Sequence, residues 1–167
     1  MIYQDLLAYK KGFEIAMEIF EVSKLFPKEE TYSLTDQIRR SSRSVCANIA
    51  ESYRKRVYPK HFHSKLTDSD AENSETQTWL EFAFACKYIN ENTFKELTEK
   101  NKEVGKLINY MLLNPAKFGV KTEYWTLNTE HWILNTEYWT LNTEHWILNT
   151  EYWILNTEHL KNEILKT

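Results

Sequence analysis

The chain has 167 residues, three glycines, three prolines and a formal net charge of −3, which allows one domain plus an appendage and leaves too few breakers for many short strands. The charge is uneven: residues 122–167 carry seven Glu against two Lys, a sum of −5, so residues 1–121 sum to +2. A strongly basic domain would point to nucleic acid at once, and this chain is not one.

Four helical stretches lie between the breakers. The first is expected from about Asp5 to Phe26, with Tyr9, Phe13, Ala16, Ile19, Phe20 and Phe26 on one face at three- and four-residue steps. Pro27 ends it by pushing the preceding residue out of the α region. The second runs from about Leu34 to Arg56 with Ser33 as its N-cap. Leu34, Ile38, Val45, Ile49 and Tyr53 form its buried stripe, and Ser41 and Ser42 leave room for a neighbouring helix. The third begins at Pro59, a good first-turn residue, and reaches about Tyr88. Its stripe is Phe62, Leu66, Leu80, Ala83 and Phe84, with Ser69, Asn73 and Gln77 on the same face. Polar groups in the middle of a core face need hydrogen-bond partners. The fourth runs from an Asn92 cap to about Leu113, with Phe94, Leu97, Val104, Leu107, Ile108 and Met111 inward. Short links between four helices of this length predict an all-α, antiparallel up-down-up-down four-helix bundle over residues 1–119, followed by a loosely ordered, low-complexity repeat tail over 120–167.

The segment Gln37 to Tyr53 reads QIRRSSRSVCANIAESY, preceded by FPKEETYSL and followed by ENSETQTWLEFA. Gln37-Ile38-Arg39-Arg40, Ser44 and Asn48-Ile49-Ala50-Glu51 fall in register on one helix. In these residues the chain resembles the four-helix-bundle family of proteins encoded within intervening sequences of 23S ribosomal RNA genes, which includes accessory proteins of diversity-generating retroelements. The resemblance covers residues 1 to about 119. Where the family usually has glycine after the glutamate, this chain has Ser52. The resemblance implies a homo-oligomer, a ring of five with a basic surface, and in the retroelement branch it implies RNA and a reverse transcriptase as partners.

Charge within the body is segregated. Arg39, Arg40, Arg43, Arg54, Lys55, Arg56, Lys60 and Lys65, with His61 and His63, are opposed only by Glu51, whereas Asp68, Asp70, Glu72, Glu75 and Glu81 follow without a base. Two readings stay open. The charges of helices two and three pair across their seam, adding little stability if exposed. Or Arg54, Lys55, Arg56 and Lys60, with Arg40 and Arg43 further along the helix, bind the phosphates of RNA or DNA, and each contact adds a counterion-release contribution. Asn48 and Glu51, with Asn73 and Gln77, are expected to form a buried polar network that fixes helix register.

No catalytic site is expected. His61 and His63 are two residues apart and point away from each other on a helix, so they form no metal pair. Walker, GxGxxG, CxxC and HExxH patterns are absent from the sequence, no cofactor is implied, and Trp79 reads as a core or subunit-contact residue. Cys46 and Cys86, within apolar helical stretches, read as reduced core thiols. The start MIYQDLLAYKKGFE lacks a signal-peptide pattern and no apolar run is long enough to span a membrane, so a cytoplasmic chain is expected.

From Thr122 the sequence repeats every seven residues: TEYWTLN, TEHWILN, TEYWTLN, TEHWILN, TEYWILN, then TEHLKNE. Four consecutive apolar residues, such as Tyr138 to Leu141, make no coiled-coil seam, and an odd period flips alternate repeats of a strand. Back-translation gives a seven-nucleotide unit, AYACTGR, repeated out of frame. The Tyr/His and Thr/Ile alternations are single C-to-T changes at one place in that unit, and Trp125, Trp132, Trp139, Trp146 and Trp153 fall where TGG replaces TGA. The tail therefore reads as a translated minisatellite, against the alternative of a repeated aromatic module that stacks on single strands. The expectation for the whole chain is a non-enzymatic oligomeric binding protein that contacts nucleic acid, or a nucleic-acid enzyme, through the helix two–three corner. The alternative is a protein–protein scaffold.

Overall fold

The structure, a computed structural model, describes residues 2–121 together with Thr140 and Thr143. The heptapeptide repeat otherwise lies outside the described residues. Four helices carry the fold: α1 (Leu7–Val22), α2 (Leu34–Arg54), α3 (Pro59–Ala85) and α4 (Glu91–Leu113). No strand occurs among the described residues. Each helix packs on the next and α4 closes back on α1, with α2–α3 the most extensive seam. The fold class is therefore the all-α bundle that the four apolar stripes predict.

A short 3-10 turn (Tyr3–Asp5) leads into α1, fixed by the Ile2 amide donating to the Asp5 carboxylate at 2.9 Å. The buried face of α1 is Ala8, Gly12, Ile15, Ala16 and Ile19. This corrects the expected stripe: Phe13 is 53% exposed, and Tyr9 and Phe20 are half-buried. The reason is the close approach of α2. A Cβ on Gly12 would lie 3.2 Å from Cys46 Sγ and 3.7 Å from Val45 Cγ1, so small residues face inward and the rings turn out to the rim. The helix also stops earlier than expected, at Val22, and a 3-10 turn (Ser23–Leu25) precedes Pro27.

At the start of α2, Ser33 occupies the cap position but its side chain does not cap. Glu30 does so instead: its Oε2 accepts from the Ser33 hydroxyl and from the Leu34 amide. These bonds, the serine's first, hold the Glu30 carboxyl below its ordinary range, and Tyr88 Oη donates to its other oxygen at 3.1 Å. The expected stripe Leu34, Ile38, Val45, Ile49 and Tyr53 is buried throughout. The helix ends at Arg54 rather than Arg56.

Helix α3 opens on Pro59 and ends at Ala85 in a Schellman turn: Tyr88 N donates to Ala83 O and Lys87 N to Phe84 O, each at 2.9 Å. Lys87 sits there at φ 61°, where glycine is usual. Phe84, expected inside, is 38% exposed and stacks on Phe94 at 4.6 Å. Cys86 is exposed as well, so only Cys46 is a core thiol. Helix α4 is capped by Asn90, whose Oδ1 accepts from Thr93 N at 2.9 Å, two residues before the expected Asn92.

Ile19, Ile38, Ile49, Phe62, Leu66, Leu80, Val104 and Ile108 fill the middle, each worth about 1.5–3 kcal/mol of transfer free energy for a side chain of this size. Serine and threonine hydroxyls interrupt this core without being stranded. Ser69 Oγ donates to Val45 O at 2.9 Å, Thr76 Oγ1 to Ser41 Oγ at 2.9 Å, and Ser42 Oγ to Ile38 O at 2.7 Å. Asn73 and Asn101 form a reciprocal pair between α3 and α4: Asn73 Nδ2 donates to Asn101 O at 3.2 Å, and Asn101 Nδ2 to Asn73 O at 2.9 Å. Gly105 makes room for it, since a Cβ there would lie 3.0 Å from Asn73 Nδ2.

Candidate nucleic-acid interface

The corner between α2 and α3 is a four-residue turn, Lys55–Tyr58, closed by Tyr58 N donating to Lys55 O at 2.8 Å. Its brevity brings the last turn of α2 beside the first turn of α3, so the run Arg54-Lys55-Arg56 and Lys60 share one end of the bundle. The four cations do not remain equivalent. Lys55 Nζ binds Glu51 Oε1 at 2.6 Å, and Lys65 Nζ reaches Glu51 Oε2 and Asp68 Oδ2, each at 3.2 Å. Glu51 is drawn below its ordinary carboxylate range by these ammonium groups, Lys55 first. Arg56 folds back: Nη1 donates to Tyr53 O at 2.6 Å, and the guanidinium lies 4.2 Å from the Tyr53 ring centroid. It thereby satisfies one of the orphan carbonyls at the end of α2 and is held in one orientation. Arg54 and Lys60 are exposed. Among the described residues, Arg54, Arg56 and Lys60 have no ion-pair partner.

Arg40 and Arg43 do not join them. They stand 14 and 11 residues before Arg54, about 21 and 16 Å along the helix axis. Arg40 is 3.9 Å from Asp36 Oδ2. Arg43 and Arg39 lie 5.5 and 4.9 Å from the Phe20 ring, and Arg39 Nε donates to Ser23 Oγ at 2.7 Å. Only the Lys65–Glu51 pair crosses the α2–α3 seam among the described residues. Asp70, Glu72, Glu75 and Glu81 have no ion pair there, and Glu72 titrates above its ordinary range through burial and then through Glu75.

The four residues expected as one polar network are not brought together. Asn73 pairs with Asn101, while Gln77 Nε2 donates to Thr98 Oγ1 and Glu81 Oε1, both at 3.3 Å. Glu51 turns outward to its two lysines, and Asn48 is half-buried with no hydrogen bond to Asn73 or Gln77 among the described residues. Asn73 Oδ1 and Gln77 Oε1 are buried without a hydrogen bond. The physical reason is helix phase: Asn48 and Glu51 fall off the stripe that Val45, Ile49 and Tyr53 define.

Three further features bear on the site. A pocket of about 290 Å³ at the same corner is lined by Ile2, Tyr3, Gln4, Tyr53, Arg54 and Arg56. The N-terminal turn packs on α2 to form it, a juxtaposition with no local sequence signal. A second groove, of about 430 Å³, lies between α1 and α2 and includes Tyr9, Phe13, Met17, Arg43, Ala47 and Ala50. Burial raises the Cys46 thiol at its floor to about 11, so it is an unreactive core group. Trp79 is half-buried, with its indole N–H on Glu75 Oε1 at 2.9 Å. Among the described residues no group of three or more His, Cys, Asp or Glu could hold a metal ion, and no helix is long and apolar enough to cross a membrane.

Residues 4–110 match the family described as 23S rRNA-intervening sequence protein. A crystal structure of a protein of unknown function from the S23 ribosomal protein family of Bacteroides thetaiotaomicron is similar, with 27% sequence identity and a TM-score of 0.59. The likeness covers 65% of this chain and 97% of that one. No curated protein matches the chain. With the family match extending over most of the helical body, this chain belongs to the 23S rRNA-intervening sequence protein family.

Proposed function

We propose that the chain is a non-enzymatic, oligomeric, cytoplasmic binding protein that contacts nucleic acid through the α2–α3 corner. One observation carries this reading. Arg54, Arg56 and Lys60 converge on one end of the bundle without ion pairs among the described residues, while nearby Lys55 and Lys65 are neutralised by Glu51 and Asp68. Cations left unpaired at one end of a bundle suit a polyanion, and the guanidinium of Arg56, already fixed against Tyr53, loses little freedom on meeting a phosphate. Self-association multiplies the corner around an assembly. The half-exposed Phe13 and Met17 beside the α1–α2 groove supply apolar surface for it.

The test is binding of labelled RNA and DNA by the full chain and by a variant with Arg54, Arg56 and Lys60 changed to glutamine. Three phosphate contacts per chain imply that affinity falls roughly 20- to 40-fold between about 50 and 200 mM salt. The triple variant should lose binding at unchanged helical content. Absence of wild-type binding at low salt would leave the scaffold reading in front. That second reading has its own support in Asp70, Glu72 and Glu75 of α3, acids without an ion pair among the described residues, which suit a basic protein surface.

A further inference from the structure

The pocket at the corner differs from the patch around it. Its lining joins two arginines to two tyrosines and the apolar Ile2, whereas a surface that only tracks phosphates needs no cavity and no rings. Its volume of about 290 Å³ lies at the small end of ligand sites, of the order that one nucleotide fills. The walls are held in place. Tyr53 is core, the Arg56 guanidinium is fixed on its ring and backbone carbonyl, and Tyr3 is braced edge-on against Tyr9 at 5.1 Å between centroids. Tyr3 itself is half-buried, so part of it remains accessible. Planar arginine and tyrosine side chains are the groups on which unpaired bases stack, and exposed Arg54 stands at the same pocket to meet the adjoining phosphate.

We propose that this pocket receives the base of one unpaired nucleotide, with Tyr3 and Arg56 as its stacking surfaces and Arg54 on the phosphate, so that the corner selects single strands over duplex. The inference rests on the nucleic-acid reading of the corner and adds to it a strand preference. In a duplex the base is already stacked and paired, and flipping it out forfeits both interactions. A duplex can therefore use the cations but not the pocket.

The experiment measures fluorescence anisotropy of labelled oligo-dT, alone and annealed to oligo-dA, with the full chain at low salt. The single strand should bind about tenfold more tightly than the duplex, the effect of one stacked base. Tyr3→Ala should bring that ratio close to one while leaving duplex affinity unchanged, and Tyr3→Phe should keep the ratio. Arg56→Lys, which preserves charge but not the plane, should weaken the single strand more than the duplex. Circular dichroism confirms that each variant is folded, and the Phe and Lys variants keep the test decisive if Tyr3→Ala unfolds. Equal wild-type affinity for both ligands, or a Tyr3→Ala loss shared equally by both, would overturn the pocket and leave the phosphate patch standing. Failure to bind either ligand would overturn both.

Discussion

Two seams of this bundle are closed by a glycine, and they hold by different means. At the α1–α2 seam, Gly12 admits Val45 and the buried thiol of Cys46, and apart from a long S–H hydrogen bond to Tyr9 O at 3.9 Å the contact is dispersion between apolar groups. At the α3–α4 seam, Gly105 admits the Asn73 amide, which exchanges hydrogen bonds with Asn101. An apolar seam has neighbouring minima, because a sliding side chain finds another surface of similar kind. A reciprocal amide pair has one, since a displaced buried amide loses its partners at about 1–3 kcal/mol. Stability and register are therefore carried by different contacts: the mainly apolar α1–α2 contact contributes burial, and the Asn73–Asn101 exchange limits how far α3 slides along α4.

Removing the amide should have the largest effect on that contrast. Asn101→Ala deletes a bond at a site only 3% exposed and leaves a void, so urea unfolding should show a loss of about 2–4 kcal/mol. A loss below about 0.5 kcal/mol would mean that the pair contributes no more than the apolar seam. The two glycines come next, tested with the same substitution. Gly105→Ala pushes on an amide held by its own hydrogen bond and should cost about 1–3 kcal/mol, despite roughly 1 kcal/mol of helix propensity in its favour. Gly12→Ala meets a thiol that can yield a few tenths of an ångström, and should stay within about 1 kcal/mol of the parent. Equal costs at the two sites would erase the distinction. The smallest effect is a gain outside both seams. Lys87 occupies a left-handed position, and Lys87→Gly should raise stability by about 0.5–1 kcal/mol, read as a higher thermal midpoint.

The sequence exposes some of this clearly. The α2 stripe is legible because Leu34, Ile38, Val45, Ile49 and Tyr53 are large, apolar and evenly phased. The α1 stripe is misread because its buried face is built from Ala8, Gly12 and Ala16. Tight packing there needs small residues, while hydrophobic patterning gives most weight to Tyr9 and Phe13, which rim the groove. Polar residues in the middle of α3 are visible in its periodicity, yet the partner Asn101 is not, because a pairing between helices leaves no local mark. The basic run around Arg54 is equally plain. Its division into Lys55, held by Glu51, and Arg54, without an ion pair among the described residues, depends on the reach of Glu51 across one turn of helix, and the corner pocket depends on Tyr3 returning to the end of α2. Neither fact is written in a spacing.

The division of that basic run is the centre of the functional account, and one measurement addresses it directly. It is the slope of log affinity against log salt for nucleic-acid binding, compared between wild type, Arg54→Gln and Lys55→Gln. Both substitutions remove one positive charge from adjacent residues, so a patch acting only through net charge treats them alike. Because Lys55 is held by Glu51 and Arg54 has no ion pair among the described residues, Arg54→Gln should lower the magnitude of the slope by about 0.7–0.9, one phosphate contact, and Lys55→Gln should leave it unchanged. An equal fall in both variants, or a fall for Lys55→Gln alone, would contradict it.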